Sequence, residues 1–423
     1  MKKVAVIGAG PAGMTAAITA ARNGAKVTVF ERNNIAGKKL LLTGNGRCNF
    51  TNVDMHTDYF SVKDGTDAAF VLERLTAKDV CDFFMDLGVL NIERKGCFYP
   101  FTGQAQTIQS ALLQAMEHLG IEVIYNTCVG KIDIKNVDTG SLIKSGEDIN
   151  ENNHENIFVI HTDEQKYEFD AVILCCGGKA APKTGSDGFG YRLARGFGHT
   201  VSRTYPVLVQ LVSDESNLKT VAGVRCQANV TALINDQKVA SDYGELQMTE
   251  YGLSGIPVFH LSRFLSKEIE EGQKCEVSVD FIPQVAIQAM DGFVSKRIAD
   301  LKGYRIKDLL FGLVHSKVAE YVMKQRNISA DSVVVEADKD RITELLLAMK
   351  EWKFHITGHK GFEHAQVTKG GVLLEEIDVN MESKLVKGLF FAGEMTDVDA
   401  DCGGYNLHWA WASGIKAGEM AAK

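Results

Sequence analysis

The chain has 423 residues, with 46 Lys and Arg against 54 Asp and Glu, a formal net charge of −8 and an apolar fraction of 45%. That length exceeds one ordinary hydrophobic core and calls for two or three domains, and the acidic balance gives non-specific nucleic-acid binding no electrostatic support. No apolar run reaches the roughly 20 residues of a membrane-spanning helix, and the sequence opens directly on a strand with no secretory leader, so a cytoplasmic protein without membrane partners is expected.

Residues 3–7 (KVAVI) read as a short buried strand, followed by Gly8-Ala9-Gly10-Pro11-Ala12-Gly13. Residues 14–23 read as a small-residue helix with Gly24 as its C-cap, and 26–30 (KVTVF) as a second strand ending at Glu31. This is a complete βαβ unit for a dinucleotide. Gly8 permits the turn, Gly10 lets the backbone approach a pyrophosphate, and Gly13 lets the helix lie close to the sheet. The helix start offers unpaired N–H groups and a positive dipole end. Glu31 suits ribose hydroxyls and disfavours a 2′-phosphate, which argues against NADP in this site.

A loop from Arg32 to Lys39 and a glycine-rich polar stretch, Thr43 to Asn49, come next. Two helices are expected over 66–87, a third over 105–119, a strand over 121–125 and a strand meander with an exposed polar loop over 130–167. Phe169 to Cys176 reads as an apolar strand running into Gly177-Gly178. Strands are expected over 207–212, 228–234 and 277–281, with helices over 286–350 between the last of them and a return of strand character after 360. Leu389 to Ala392 flows into Gly393-Glu394, and Gly403-Gly404-Tyr405-Asn406-Leu407-His408 opens a terminal small-residue helix. The parse is a discontinuous nucleotide-binding domain (1–195 and 360–423), an inserted β-rich subdomain (196–285 and 350–359) and a helical subdomain (286–349). Nine cysteines, an odd number without C-x-x-C or zinc-ligand spacing, point to reduced thiols and no metal site.

FAD fits this pattern better than NAD. Reduced flavin is anionic around N1, and a glycine-started helix near the C-terminus would bring positive N–H groups to it. No second G-x-G-x-x-G follows a strand, and Gly185 to Gly190 has the wrong spacing. A separate NAD(P)H domain is therefore not expected; NADH or NADPH, if it is the reductant, would bind transiently over the flavin ring.

The chain resembles the YhiN-type flavoproteins, which include BaiN-type bile-acid reductases and aminoacetone-oxidase-like members. The resemblance covers essentially the whole chain. It rests on GAGPAG at 8–13, GKKLLLTGNGRCNFTN at 37–52, GGKAAPKTGSDGFGYRLARGFGH at 177–199, GELQMTEYGLSGIPVFHLS at 244–262 and the block from Gly370 to Gly414. It implies an α/β fold: a glutathione-reductase-type FAD-binding Rossmann domain with an inserted β-barrel-like subdomain and a small helical subdomain. By this resemblance Gly8, Gly10, Ala12 and Gly13 would cradle the pyrophosphate, and Glu31, with Arg32 beside it, would hold the adenosine ribose. Val129 would meet adenine through its backbone. Lys38, Lys39, Gly46, Arg47, Cys48 and Asn49 would line the pyrophosphate and isoalloxazine, with Gly177 beneath the cofactor. Gly393 and Glu394 would meet the ribityl region, and Gly404, Tyr405, Asn406 and Leu407 the ring. Two stretches depart from the family pattern: Thr249-Glu250-Tyr251-Gly252 stands where T-H-x-G is usual, and Tyr405-Asn406-Leu407-His408 where Y-N-L-Q is usual.

Because the flavin carries the hydride chemistry, few acid–base residues are needed. The catalytic candidates are His408 as a proton carrier near neutral pH, Tyr405 as a hydrogen-bond donor to substrate, and Cys48 as a thiol near the cofactor. Each has a structural alternative: a helix-end hydrogen bond, aromatic packing, and a small residue beneath the flavin. Arg47 suits a phosphate or a substrate carboxylate. The leading expectation is an FAD-dependent oxidoreductase acting on a small organic substrate. The alternatives are an amine or aminoketone oxidase that makes peroxide, and a non-catalytic flavin sensor or RNA-associated protein.

Overall fold

The computed structural model describes residues 1–62, 75–136, 142–143, 156–335 and 338–423. The chain divides into two compact units, Met1–Pro206 with Gln366–Lys423, and Val207–Ala365.

The first unit is built on a five-stranded parallel sheet in the order Leu389–Phe391, Ala171–Leu174, Lys3–Ile7, Lys26–Phe30, Glu122–Ile124. These strands are apolar on both faces, as a sheet covered on both sides requires. Their carboxyl ends are in register: Ile7 pairs with Leu174 and Phe30, Leu174 with Phe391, and Phe30 with Ile124. The opening helix, Pro11–Arg22, has Pro at its first position and buries a run of alanines and glycine, small enough to lie flat on the sheet. A four-stranded antiparallel sheet, with Asn156–His161 between Lys166–Phe169 and Lys131–Asn136, flanks the parallel one. Phe169 to Cys176 is therefore two elements. Lys166–Phe169 closes the antiparallel sheet and Ala171–Leu174 joins the parallel one, with Asp170 between them accepting from Lys3 N–H (2.7 Å).

Thr76 and Asp79 cap the helix Ala77–Asp86 reciprocally. The earlier part of the expected helix pair and the polar loop near 145–155 lie outside the described residues. A small three-stranded sheet places Cys97–Pro100 between Thr51–Asn52 and Asn91–Arg94.

The closing helix, Tyr405–Ala421, lies against the opening helix through its glycines. A Cβ at Gly414 would stand 2.5 Å from the Ala12 carbonyl oxygen, and one at Gly418 would run into the Ala16 carbonyl. Small residues at this i, i+4 spacing bring the two backbones together.

The second unit is a closed six-stranded barrel, in the order Leu211–Ser213, Gly252–Ser254, Gln237–Thr249, Arg225–Ile234, Cys275–Asp280, Trp352–His359. Along Cys275–Asp280 every second residue is buried, as a barrel strand with one inward face demands. The helix Ile256–Glu270 begins with Pro257 at its first turn and buries Val258, Leu261 and Leu265 against the barrel strands. The elements expected from the sequence include no helix over this stretch, although its apolar residues follow the helical period. Helices Met290–Asp300, Ser316–Gln325 and Lys339–Lys350 share one core with the barrel.

Among the described residues no helix is long and apolar enough to cross a membrane.

Candidate cofactor and active site

The carboxyl ends of the five parallel strands carry the sequence-identified segments. Gly8 follows the first strand, Glu31 the second, Cys175 to Gly178 the fourth in chain order and Ala392 to Glu394 the last. Ligands of open α/β sheets bind at this edge.

At the opening turn, Gly8 has φ +102° and a Cβ there would strike the Cys175 carbonyl. A Cβ on Gly13 would strike the Gly8 carbonyl oxygen, so the helix start lies directly on the strand end. At Gly10 a Cβ would meet nothing within 4 Å. The two flanking glycines are required by the protein's own packing, whereas Gly10 borders open space in front of an N-terminus that no side chain caps. That is a cradle for an anion.

Glu31 is 6% exposed. Its Oε2 accepts from Ala9 N–H (2.8 Å), and its Oε1 accepts from Asn33 N–H (2.8 Å) and Asn33 Nδ2 (2.7 Å). Three donors fix the carboxylate at the strand end and leave lone pairs for ribose hydroxyls. Arg32 turns the other way, pairing with Asp187 (2.7 Å) and donating to the Gly185 carbonyl (3.3 Å). Together with Asn33 Nδ2 on the Thr184 carbonyl (3.0 Å), it ties the 177–190 loop to the second strand. Val129 is buried, and neither its N–H nor its C=O makes a hydrogen bond among the described residues.

Residues far apart in sequence meet at the closing segment. Lys39 Nζ lies 2.6 Å from Glu394 Oε2, and Glu394 Oε1 accepts from Thr368 N–H (2.8 Å). Gly393 adopts φ +74°, and a Cβ there would be 2.8 Å from Ala12 Cβ. Gly177 (φ +71°) would carry a Cβ 2.8 Å from Ser186 Oγ. Gly46 (φ +80°) ends the kinked segment Leu40–Gly46, and Lys38 is exposed beside it. Gly404, at φ +98°, caps the closing helix, and a Cβ there would be 2.7 Å from Asn49 Oδ1. That Asn49 oxygen is buried with no partner in the described structure. It is an acceptor waiting for a ligand N–H, which an isoalloxazine supplies. Asn406 pins the preceding turn through Ala400 N–H (2.9 Å) and the Ala400 carbonyl (2.8 Å), and Leu407 packs partly into the core. Open space at Gly10, a fixed acid at Glu31 and an orphaned acceptor at Asn49 together fit FAD.

The three catalytic candidates are placed otherwise than a reactive group would be. His408 is fully buried, its Nδ1 bonded to Thr51 Oγ1 (2.8 Å) and its Nε2 to the Leu75 carbonyl (2.9 Å). Burial pushes it down to about 4. Both nitrogens are used internally, so the ring anchors the closing helix and has no nitrogen left for a substrate proton. Cys48 is fully buried in a left-handed turn (φ +57°), and burial pushes its thiol up to about 12. The nucleophilic thiolate is therefore suppressed. Tyr405 is 5% exposed and stacks on Tyr59 with centroids 4.5 Å apart; burial, first, and neighbouring Tyr59 raise its phenol well above the usual range. Arg47 is exposed, donates to the Gly44 carbonyl (3.1 Å) and lies over the Tyr99 ring, 5.7 Å from its centroid. In the barrel unit, Lys360 Nζ lies 4.5 Å from the Tyr251 ring centroid.

The sequence reading passed over Thr368, whose hydroxyl accepts from Lys179 N–H (2.7 Å) and Ala180 N–H (2.9 Å) while its own N–H holds Glu394. It also passed over the glycines of the closing helix, whose i, i+4 spacing was visible at 414 and 418.

Residues 2–420 match the family described as HI0933-like protein Rossmann domain. The chain belongs to this family. It is 36% identical, over 100% of both chains, to the 3-dehydro-bile acid delta(4,6)-reductase of Clostridium scindens. It is 27% identical to the ribosomal RNA dihydrouridine synthase of Haemophilus influenzae (96% of this chain, 95% of that one) and 26% identical to that of Escherichia coli, with the same coverage. The chain is an FAD-dependent oxidoreductase of this family, with the α/β Rossmann fold and inserted barrel that its sequence implies.

Proposed function

We propose that this protein reduces a carbon–carbon double bond conjugated to a carbonyl in a small, ring-bearing organic substrate, with NADH or NADPH as a transient reductant. The observation that carries this reading is the 36% identity over the full length of both chains to a bile-acid reductase. FAD, when bound, supplies the hydride chemistry. The chain's own residues hold and orient it. Gly8, Gly10, Ala12 and Gly13 cradle its pyrophosphate, Glu31 takes the adenosine ribose, and the Val129 backbone meets adenine. Lys39, Glu394 and Thr368 form a fixed polar bridge beside the ribityl region. Asn49 and the turn Gly403-Gly404 face the ring, with the closing helix directing its N-terminal dipole there. His408, Tyr405 and Cys48 hold this framework by burial and packing.

A second reading, reduction of a uridine in RNA, is favoured by the two relatives at 27% and 26% identity. The net charge of −8 weighs against a long polyanionic substrate. An oxidase producing peroxide is the third. Anaerobic stopped-flow absorbance separates them. Bleaching by NADH or NADPH followed by reoxidation on adding a 3-oxo-4-ene steroid is expected. Reoxidation by unmodified ribosomal RNA and not by the enone would transfer the assignment to RNA. Fast reoxidation by oxygen with stoichiometric peroxide, and none by the enone, would transfer it to the oxidase.

A further inference from the structure

The small three-stranded sheet of the first unit has two unlike faces. Side chains alternate across a strand, and directly paired residues share a face. Phe98 is paired with Thr51 and Glu93, and on this face Phe98 packs towards Phe50 and Thr51 holds His408. Cys97 and Tyr99 lie on the other face, with Arg94 and Asn52 paired to Cys97 and Ile92 paired to Tyr99. Arg47 reaches the same place from the kinked loop, over the Tyr99 ring. Burial, first, and the neighbouring Cys97 raise the Tyr99 hydroxyl above its usual range, and the Arg47 and Arg94 charges oppose that rise.

Among the described residues neither guanidinium meets a carboxylate. Glu93 Oε1 accepts from Gly96 N–H (2.5 Å) and Asp54 Oδ2 from the Tyr59 hydroxyl (2.5 Å). In a chain of net charge −8, Arg47 over the Tyr99 ring and Arg94 on the same sheet face, neither with a carboxylate partner among the described residues, give this face a local positive seat. The seat adjoins the closing turn. Asn52 Nδ2 donates to the Gly403 carbonyl (2.9 Å) and lies 3.7 Å from Cys97 Sγ, itself 3.9 Å from the same carbonyl. Gly403 precedes the glycine that caps the closing helix.

We propose that Arg47, Arg94 and the Tyr99 hydroxyl seat an anionic group of the substrate, a carboxylate on a small organic molecule whose reacting end lies over the flavin. The inference rests on the reading of the closing turn as the flavin-ring site. Guanidinium forks match carboxylates geometrically, and the phenol adds a neutral donor between them. An RNA backbone would instead need a basic track several nucleotides long.

The test uses the FAD-loaded full-length protein and two probes, a 3-oxo-4-ene steroid with a side-chain carboxylate and its methyl ester. Binding is read from the perturbation of the flavin absorbance. The wild type is expected to prefer the acid by about tenfold or more, the scale of one charge-assisted hydrogen bond. Arg94→Gln should lower acid affinity by about tenfold and leave the ester unchanged, and Arg47→Gln should lower acid affinity by about tenfold more than ester affinity. Arg94→Lys should recover part of the loss, and an unaltered flavin spectrum and melting temperature would show that the variants are folded. Equal affinity for acid and ester in the wild type, or parallel loss of both in the variants, would overturn the anion seat while leaving the enone-reductase reading in place. Failure of both probes to perturb the flavin would overturn both. Tight, Arg94-dependent binding of a single-stranded RNA oligomer with no acid preference would overturn the seat in favour of a phosphate backbone.

Discussion

Gly414→Ala on the closing helix puts two effects in opposition. In an isolated helix alanine is favoured over glycine by about 1 kcal/mol. Here the added methyl would stand 2.5 Å from the Ala12 carbonyl oxygen, against the Thr15 hydroxyl that itself bonds the Pro11 and Ala12 carbonyls (3.0 Å each). An ordinary carbon–oxygen contact needs on the order of 1 Å more, and the obstacle is backbone, so the helices must separate; such overpacking costs about 1–3 kcal/mol. The net expectation is destabilisation by up to about 2 kcal/mol. The closing helix also carries Gly404, and the Gly393 N–H is held by its Ser413 hydroxyl (2.9 Å). Its displacement should therefore weaken FAD binding, and the FAD-bound form should lose more melting temperature than the apo form. Gly292→Ala is the control: a Cβ there meets nothing within 4 Å in the helix Met290–Asp300, so up to about 1 kcal/mol of stabilisation is expected. Chemical denaturation of both variants, with FAD titration, decides the matter. If Gly414→Ala is stabilising like Gly292→Ala and retains FAD normally, the close packing of the opening and closing helices does not set the site.

Gly10→Glu should abolish flavin retention while leaving the apo protein's melting temperature nearly unchanged, because the position borders empty space; a variant that purifies yellow at full stoichiometry would contradict this. Glu31→Ala should weaken FAD binding by roughly 1–3 kcal/mol and lower apo stability as well, since it strands the Ala9 and Asn33 donors; calorimetric titration showing wild-type affinity would remove the ribose assignment. His408 binds a proton in the unfolded chain at its ordinary 6.5 but resists one when folded until about 4. Its stabilising effect is therefore complete above pH 6.5 and is lost as pH falls towards 4, by about 3 kcal/mol in all. Urea unfolding across that range should show the loss in the wild type and a shallower slope in His408→Asn, and a His408-dependent titration of kcat/KM near neutrality would contradict the structural role.

The opening βαβ unit was legible because its signals are local. Alternating demands for a tight turn, a flat helix and a buried strand dictate Gly8, Gly13 and the apolar residues around them. Lys3–Ile7 and Lys26–Phe30 were read with their observed bounds for that reason. The helix Ile256–Glu270 carried an equally local signal in Pro257, Val258, Leu261 and Leu265, yet it is absent from the elements expected from the sequence. What composition and spacing could not settle was which side chains remain available. His408, Cys48 and Tyr405 have the right chemistry in isolation. Burial of all three, hydrogen bonds from His408 to Thr51 and the Leu75 carbonyl, and stacking of Tyr405 on Tyr59 turn them into packing elements.

By itself the sequence determined the nucleotide fold and the residue types at the strand ends, since those follow from backbone sterics within a few neighbours. Only the tertiary structure brought Lys39 to Glu394, left Asn49 Oδ1 without a donor among the described residues, and placed Arg47 over the Tyr99 ring. Such pairings depend on where remote segments meet. Desolvation and electrostatics act through space, and no local pattern records them.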